Sequence, residues 1–199
     1  HSTSRRQRQM CIRDRSEVLN ILKKEYGAGL IEADRVAHEL MEPGAESYEA
    51  VVKKFGNSIL TDEGTIDRAA LGAIVFRDKE KLAVLNSLTH PNVEREILCR
   101  MDRMESDPDI RLIVYEAALL TGAEFEQRFD QLWYVFARED LRFQRLKEGR
   151  GYSDEKTASM IKSQPGEESF RKAATHIIDN SGSLNETKQQ IAEILGAEV

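Results

Sequence analysis

The chain has 199 residues, of which 40% are hydrophobic and 32% are charged, enough for one large domain or for a core with a small appendage. A mean hydropathy of -0.52 and apolar runs of only a few residues exclude the apolar segment of about 20 residues that a membrane span needs. A formal net charge of -6 argues against a nucleic-acid binder, which needs a basic surface. Two cysteines without metal-ligand spacing favour neither a disulfide framework nor a zinc site, and we expect a cytoplasmic protein.

The first fifteen residues differ in composition from the rest. They contain five arginines and a single acid, Asp14, for a formal charge of +4, whereas the other 184 residues carry -10. The stretch lacks the apolar core of a secretory signal, and it lacks the spaced apolar face that a transit peptide needs. We expect residues 1–15 to be non-native, unstructured or misplaced, and joined to a truncated native sequence that continues from Ser16.

From Ser16 the spacing of apolar residues predicts helices over 16–26, 35–41 and 48–55, with a short buried strand at 30–31. Gly27 is suited to the position after a helix end. Asp34 follows the short strand and can cap the next helix. The stretch 67–106 is helical by period, with a break at His90 and Pro91, and Cys99 is predicted on its apolar face.

Three later runs, 110–115, 132–137 and 176–178, are dense in β-branched and aromatic residues, and each precedes a segment of helical period. This alternation predicts an α/β fold whose parallel sheet is buried on both faces, with Trp133 in the core. Ser183 and Glu186 form a capping box that opens a last helix.

Acidic and amide side chains follow several of the predicted strands. They are Glu32, Asp34, Glu116, Asp179 and Asn180, together with the turn 137–140. Ligands of an open parallel sheet bind outside the carboxyl ends of its strands. Acids at that edge without a histidine cluster favour proton abstraction from a hydroxyl, or Mg²⁺ binding, over a nucleophilic triad.

Five blocks of sequence carry a resemblance to a known family: IEADRVAHELMEPG (31–44), TIDRAALGAIVF (65–76), LTHPNV (88–93), VYEAALL (114–120) and IIDNSGSLNET (177–187). Through these blocks the chain from Ser16 onward resembles the dephospho-coenzyme A (dephospho-CoA) kinases. The resemblance implies a three-layer α/β phosphate-loop kinase fold, with a core over 16–40 and 107–199. It also implies a helical substrate domain over 41–106 and a helical lid over 146–166.

The reaction that the resemblance implies is transfer of the γ-phosphoryl group of ATP, with Mg²⁺, to the 3′-hydroxyl of dephospho-CoA. The implied partners are therefore ATP and dephospho-CoA, with neither nucleic acid nor membrane. Asp34 matches the second acid of the family's D-A-D motif and would receive the hydroxyl proton, while Glu32 replaces the first Asp. His90 and Pro91 match the family's HP pair, and with Glu32 and Glu116 they are assigned to the acceptor. A helix cap at Asp34 and a helix break at His90 are the alternatives.

On the ATP side, the resemblance implies two arginines that contact phosphates. Arg145 is assigned as a catalytic residue, and Arg150 lies in the lid. Gln164 also matches the lid, whereas Met160 stands where family lids carry another arginine. The remaining ATP-binding assignments, by the family's D-N-x-G turn, are Asp179, Asn180 and Gly182. Two alternatives stay open: the arginines lie on a solvated helix face, and the turn is an ordinary helix entry.

The family's phosphate loop is not recognisable in this sequence. Arg15 stands at the position of the loop's lysine and Ser16 at that of its magnesium-binding serine, but Ile12, Arg13 and Asp14 replace the glycine turn. Residues with a Cβ do not readily form the nest of N–H groups that holds phosphates. Residues 7–9, Gln-Arg-Gln, replace the preceding buried strand.

We therefore predict that this chain is poorly active or inactive. Two other interpretations stay open: a small-molecule kinase of the same fold with another substrate, and a pseudokinase that binds a coenzyme A precursor without turnover.

Overall fold

The computed structural model describes residues 5–10, 15–117, 129–150 and 167–196. The chain divides into two compact units, His1–Leu30 with Asp107–Val199 and Ile31–Ser106. The strands are β1 (Arg5–Met10), β2 (Gly29–Glu32), β3 (Leu112–Glu116), β4 (Gln131–Phe136) and β5 (His176–Asp179). The helices are α1 (Arg15–Tyr26), α2 (Ala33–Glu39), α3 (Tyr48–Phe55), α4 (Arg68–Phe76), α5 (Lys79–Glu105), α6 (Glu139–Arg150), α7 (Glu167–Ala173) and α8 (Leu184–Gly196).

A five-stranded sheet in the order β2-β3-β1-β4-β5 forms the centre of the first unit. β1 runs parallel to β3 and β4, and β4 runs parallel to β5. The predicted parallel sheet is confirmed, and the four strands predicted from apolar runs lie within two residues of their expected ends. Since the strand order differs from the chain order, helices must cross between neighbouring strands.

The core of the first unit lies against one face of the sheet. Leu112, Val114 and Trp133 are buried there together with Leu22 of α1 and Ile191 of α8. Burying a large apolar side chain of this kind contributes about 1.5–3 kcal/mol. The predicted helical period of α1, which ends at Gly27 with a φ of 64°, therefore positions an apolar stripe on the sheet.

The N-terminal strand corrects an expectation. Residues 1–15 were predicted to be unstructured or misplaced, yet β1 lies at the centre of the sheet, with Gln7 opposite both Val114 and Gln131. For Arg5–Met10 that expectation is wrong. A ladder pairs backbone N–H and C=O groups, which every residue except proline carries, so a polar composition does not prevent pairing.

The second unit is built mainly from helices, two of which begin at aspartate caps. Asp67 Oδ1 accepts from the backbone N–H of Ala69 at 2.8 Å at the start of α4. Asp78 Oδ1 accepts from the N–H of Glu80 at 3.0 Å at the start of α5. Caps of this kind stabilise a helix by about 1 kcal/mol.

The second unit also corrects three expectations. α5 runs for 27 residues through Pro91, so the predicted break is wrong, because one missing N–H does not end a helix held by packing on both sides. The unit begins at Ile31 and not at residue 41, because α2 joins α5 through an Arg100–Glu39 ion pair of 2.6 Å. Cys99 is exposed, since the face at Ile97 and Met101 is the buried one.

Candidate active site

The ends of β4 and β5 are tied together at the carboxyl edge of the sheet. The backbone N–H of Asn180, just after β5, donates to the carbonyl of Phe136 at 2.7 Å. The N–H of Arg138 donates to Ser181 Oγ at 2.9 Å. Two neighbouring strand ends therefore present their loops as one fixed edge.

Asn180 is the buried centre of this edge, with 1% of its surface exposed. Its Oδ1 accepts from the hydroxyl of Thr187 in α8 at 2.8 Å, and its Nδ2 donates to Glu17 in α1 at 3.4 Å. The side chain thus joins the starts of two helices. For Asn180, this burial favours the helix-entry interpretation over a side-chain contact with ATP.

Arg145 of α6 reaches the same turn. Both of its terminal nitrogens, Nη1 and Nη2, donate to the backbone carbonyl of Asn180 at 3.2 Å. The structure therefore brings Arg145 and the D-N-x-G turn together, and the guanidinium is half-buried rather than on a solvated helix face. Arg150 ends the same helix; its side chain, with Gln164 and Met160, lies outside the described part of the chain.

The rest of the turn is held by local hydrogen bonds. Asp179 Oδ1 accepts from the N–H of Ser181 at 2.9 Å. The Glu186 carboxylate accepts from the N–H of Ser183 at 2.6 Å and from its hydroxyl at 2.9 Å, which confirms the predicted capping box. The Ser183 N–H, then its hydroxyl, lowers the pKa of Glu186. A Cβ built on Gly182 would clash with the Glu186 carboxylate, so a side chain there would displace that carboxylate from the capping box.

α1 is the next described element after the central strand, β1. Arg15 is its first residue, and Ser16 follows with an exposed side chain. The N–H groups of a first helical turn point outward and, with the helix dipole, favour an anion. Residues 12–14, where the glycine turn is missing from the sequence, fall outside the described residues.

The predicted acceptor residues lie in the second unit, apart from Glu116, which is half-buried at the end of β3. Asp34 is the second residue of α2, and its side chain is exposed. The cap of α2 is Glu32, which makes no capping bond and lies 3.8 Å from Arg35. The alternative role of Asp34 as a helix cap is therefore wrong. His90 and Pro91 are exposed on α5.

One feature of the second unit was not predicted. His38 lies one helical turn after Asp34, on the wall of a cavity of about 190 Å³. Burial, then the charge of Arg68, lowers the pKa of His38, while Asp34 and Glu42 partly offset this shift. Sequence spacing gave no signal for the cavity, because its walls come from segments far apart in the chain.

A family model described as Dephospho-CoA kinase matches residues 14–186. The chain belongs to the dephospho-CoA kinase family. A dephospho-CoA kinase of Carboxydothermus hydrogenoformans is 41% identical over 181 residues, which cover 91% of this chain and 87% of the relative. One of Halalkalibacterium halodurans is 35% identical and covers 87% of this chain and 86% of its own length.

Solved structures agree with this membership in the dephospho-CoA kinase family. A crystal structure from Thermus thermophilus has a TM-score of 0.81 at 27% identity, covering 98% of this chain and 96% of that one. A dephospho-CoA kinase from Campylobacter jejuni has a TM-score of 0.71 at 25% identity, with the same coverage. A shikimate kinase from Bacteroides thetaiotaomicron has a TM-score of 0.53 at 14% identity, covering 96% of this chain and 98% of that one. It shares the fold alone. The predicted α/β phosphate-loop kinase fold is confirmed.

Within the described ranges, no helix has the length and apolarity to cross a bilayer.

Proposed function

We propose that this chain transfers the γ-phosphoryl group of ATP to the 3′-hydroxyl of dephospho-CoA. The observation that carries the proposal is the family match over residues 14–186, which includes Asp34 and the turn at Asn180. In the reaction the 3′-oxygen forms a bond to the γ-phosphorus, the bond from that phosphorus to the β-γ bridging oxygen breaks, and ADP leaves. The hydroxyl proton goes to a carboxylate.

Asp34 is the carboxylate proposed for that proton. Its side chain is exposed, and among the residues with described side chains it forms neither a hydrogen bond nor an ion pair. A base must reach the proton that it removes, and an unengaged carboxylate at a helix start can do so. Glu32, Glu116, His90 and Pro91 are proposed to contact the rest of the acceptor.

On the ATP side, Arg145 is proposed to stabilise the charge of the transferring group. Its anchorage on the carbonyl of Asn180 supports this role, because a guanidinium held in place loses little freedom when a phosphate arrives. Arg15, Arg150, Gln164, Asp179 and Gly182 are proposed as further ATP contacts.

Mg²⁺ is proposed to arrive with ATP. Among the described residues, no group of three or more His, Cys, Asp or Glu side chains could hold a metal ion. Magnesium in phosphoryl-transfer sites is bound largely by phosphates and water, with few protein ligands. The exposed hydroxyl of Ser16 could serve as a single uncharged ligand of Mg²⁺. The bound ion would neutralise phosphate charge.

We also propose that the reaction is impaired in this chain. Removing one well-placed donor of a preorganised anion site slows catalysis by about 10²–10³. The sequence at 12–14 carries side chains where the family loop presents backbone N–H groups to phosphates, so several donors are affected. ATP affinity measured by calorimetry tests this proposal. A micromolar dissociation constant for the chain as given would contradict it.

The catalytic role of Asp34 is tested in a version of the chain that carries a family-like strand and glycine loop before Ser16. Asp34→Asn should lower kcat about 10²–10⁴-fold while leaving the KM for ATP unchanged. Asp62→Asn, at another exposed aspartate of the same unit, is the matched control. Equal activity of the two variants would exclude Asp34 as the base.

A further inference from the structure

The second unit contains a cavity beside His38. It lies among α2, the turn that follows it, α4 and α5. Its lining residues are His38, Met41, Glu42, Ile66, Arg68, Leu71, Gly72, Val75 and Leu85. At about 190 Å³ it is smaller than the roughly 300–1,000 Å³ that encloses a whole drug-sized ligand. The cavity is therefore sized for one group of a larger molecule.

The lining changes from apolar to charged toward solvent. Leu71 and Val75 are buried, with 5% and 8% of their surfaces exposed. Glu42 and Arg68 are exposed, and His38 is half-buried. Burial, then the charge of Arg68, lowers the pKa of His38, which favours the neutral imidazole. An apolar slot with a few polar groups at its edge suits a flat, uncharged ring whose rim carries hydrogen-bonding groups.

The cavity is close to the carboxylate proposed as the base. Asp34 and His38 are four positions apart on α2, so their Cβ atoms are separated by about 5–6 Å. If Asp34 takes the proton of the 3′-hydroxyl, the groups attached to the same ribose lie nearest to this cavity. Those groups are the adenine base and the 5′-phosphate.

We infer that the cavity is the pocket for the adenine of the acceptor, dephospho-CoA, with Glu42 accepting a hydrogen bond from the exocyclic amino group. The inference rests on the proposed function. Inside the cavity a pyrophosphate fits less well than an adenine, because Glu42 of the lining and the neighbouring Asp34 would repel it and Arg68 is one cation against two acids. The pantetheine arm is attached beyond the pyrophosphate and so lies farther from the ribose. Arg68, at the solvent side, is available to the 5′-phosphate.

Gly72 offers a direct test, because it lines the cavity and a Cβ built on it meets no heavy atom within 4 Å. Gly72→Leu puts an apolar side chain into the slot, and leucine is the better helix former, so α4 is preserved. Ala73→Leu, at the next, exposed position of α4, is the matched control. Dephospho-CoA binding is measured by calorimetry on the chain as it is, without ATP.

We expect Gly72→Leu to weaken dephospho-CoA binding about tenfold or more and Ala73→Leu to leave it within about twofold. A thermal melt no lower than wild type shows that the variant is folded. Glu42→Ala, which removes the acceptor oxygens, should weaken dephospho-CoA binding about tenfold as well. The same loss is expected in wild type for the analogue whose adenine is replaced by hypoxanthine, which lacks the amino group.

The outcomes separate the inference from the proposed function. If wild type fails to bind dephospho-CoA, the proposed function and the pocket fail together. If wild type binds it and Gly72→Leu binds equally well, the pocket alone is refuted. If Gly72→Leu instead abolishes binding of 4′-phosphopantetheine, the cavity holds the pantetheine arm, and the adenine assignment is overturned.

Discussion

Replacing Thr187 with valine tests whether buried hydrogen bonds hold the turn at Asn180. Thr187 has 0% of its surface exposed and Asn180 1%, and their side chains share a hydrogen bond of 2.8 Å. Valine has nearly the shape of threonine, so the change removes the donor without opening a cavity. A buried acceptor left without its partner costs about 1–3 kcal/mol.

We expect Thr187→Val to lower the free energy of unfolding by about 2 kcal/mol, the middle of that range. In a protein of this size each 1 kcal/mol shifts the melting temperature by about 2–4 °C, so the expected shift is about 4–8 °C. Urea unfolding followed by the fluorescence of Trp133 measures the change in the free energy of unfolding. Trp133 is the chain's only tryptophan and is buried in the same unit.

A double-mutant cycle separates this bond from other effects. Asn180→Ala should cost more than Thr187→Val, because it also removes the donor to Glu17. The double variant should lose about 1 kcal/mol less than the sum of the two, since the shared bond is removed only once. Asn185→Ala, exposed on the same helix, is the control. Loss of stability in Thr187→Val no larger than in that control refutes the reasoning.

Three further predictions concern the second unit. Pro91→Ala should raise stability by about 1–3 kcal/mol in urea unfolding, because it restores a backbone donor inside α5, and a destabilised variant would contradict this. Burial, then Arg68, lowers the pKa of His38 in the folded chain below the ordinary 6.5. As the pH falls, His38 is therefore protonated in the unfolded chain before it is protonated in the folded chain, and the free energy of unfolding falls as the pH drops through 6.5. His38→Gln should flatten that slope in melts followed by circular dichroism, and an unchanged slope would exclude His38 as its source. Arg100→Met should cost about 1 kcal/mol in the same urea assay by breaking the partly exposed ion pair that joins α5 to Glu39, and a wild-type midpoint would count against it.

The periodic parts of the fold were predictable from sequence because each follows from a local rule. The aromatic-rich run that forms β4 and the apolar stripe of α1 can each be recognised within one segment, and the capping box at Ser183 needs only four adjacent positions. The parallel arrangement followed from the alternation of such elements. The acidic residues at strand ends then indicated one edge of the sheet.

Other features depend on interactions between distant parts of the chain. β1 was misjudged because composition describes side chains, whereas its place between β3 and β4 depends on backbone pairing. The role of Asn180 depends on partners in α1 and α8, and the cavity beside His38 is closed by α4 and α5. No pattern within a single segment indicates either arrangement.

The most direct measurement of the central proposal is turnover of Mg-ATP and dephospho-CoA with the product identified by mass. It compares this chain with a version in which a family-like strand, glycine loop and lysine replace the residues before Ser16. We predict that the second version forms coenzyme A and that the chain as given forms little or none. If the repaired version is folded and binds ATP yet forms no coenzyme A, the proposed function is contradicted.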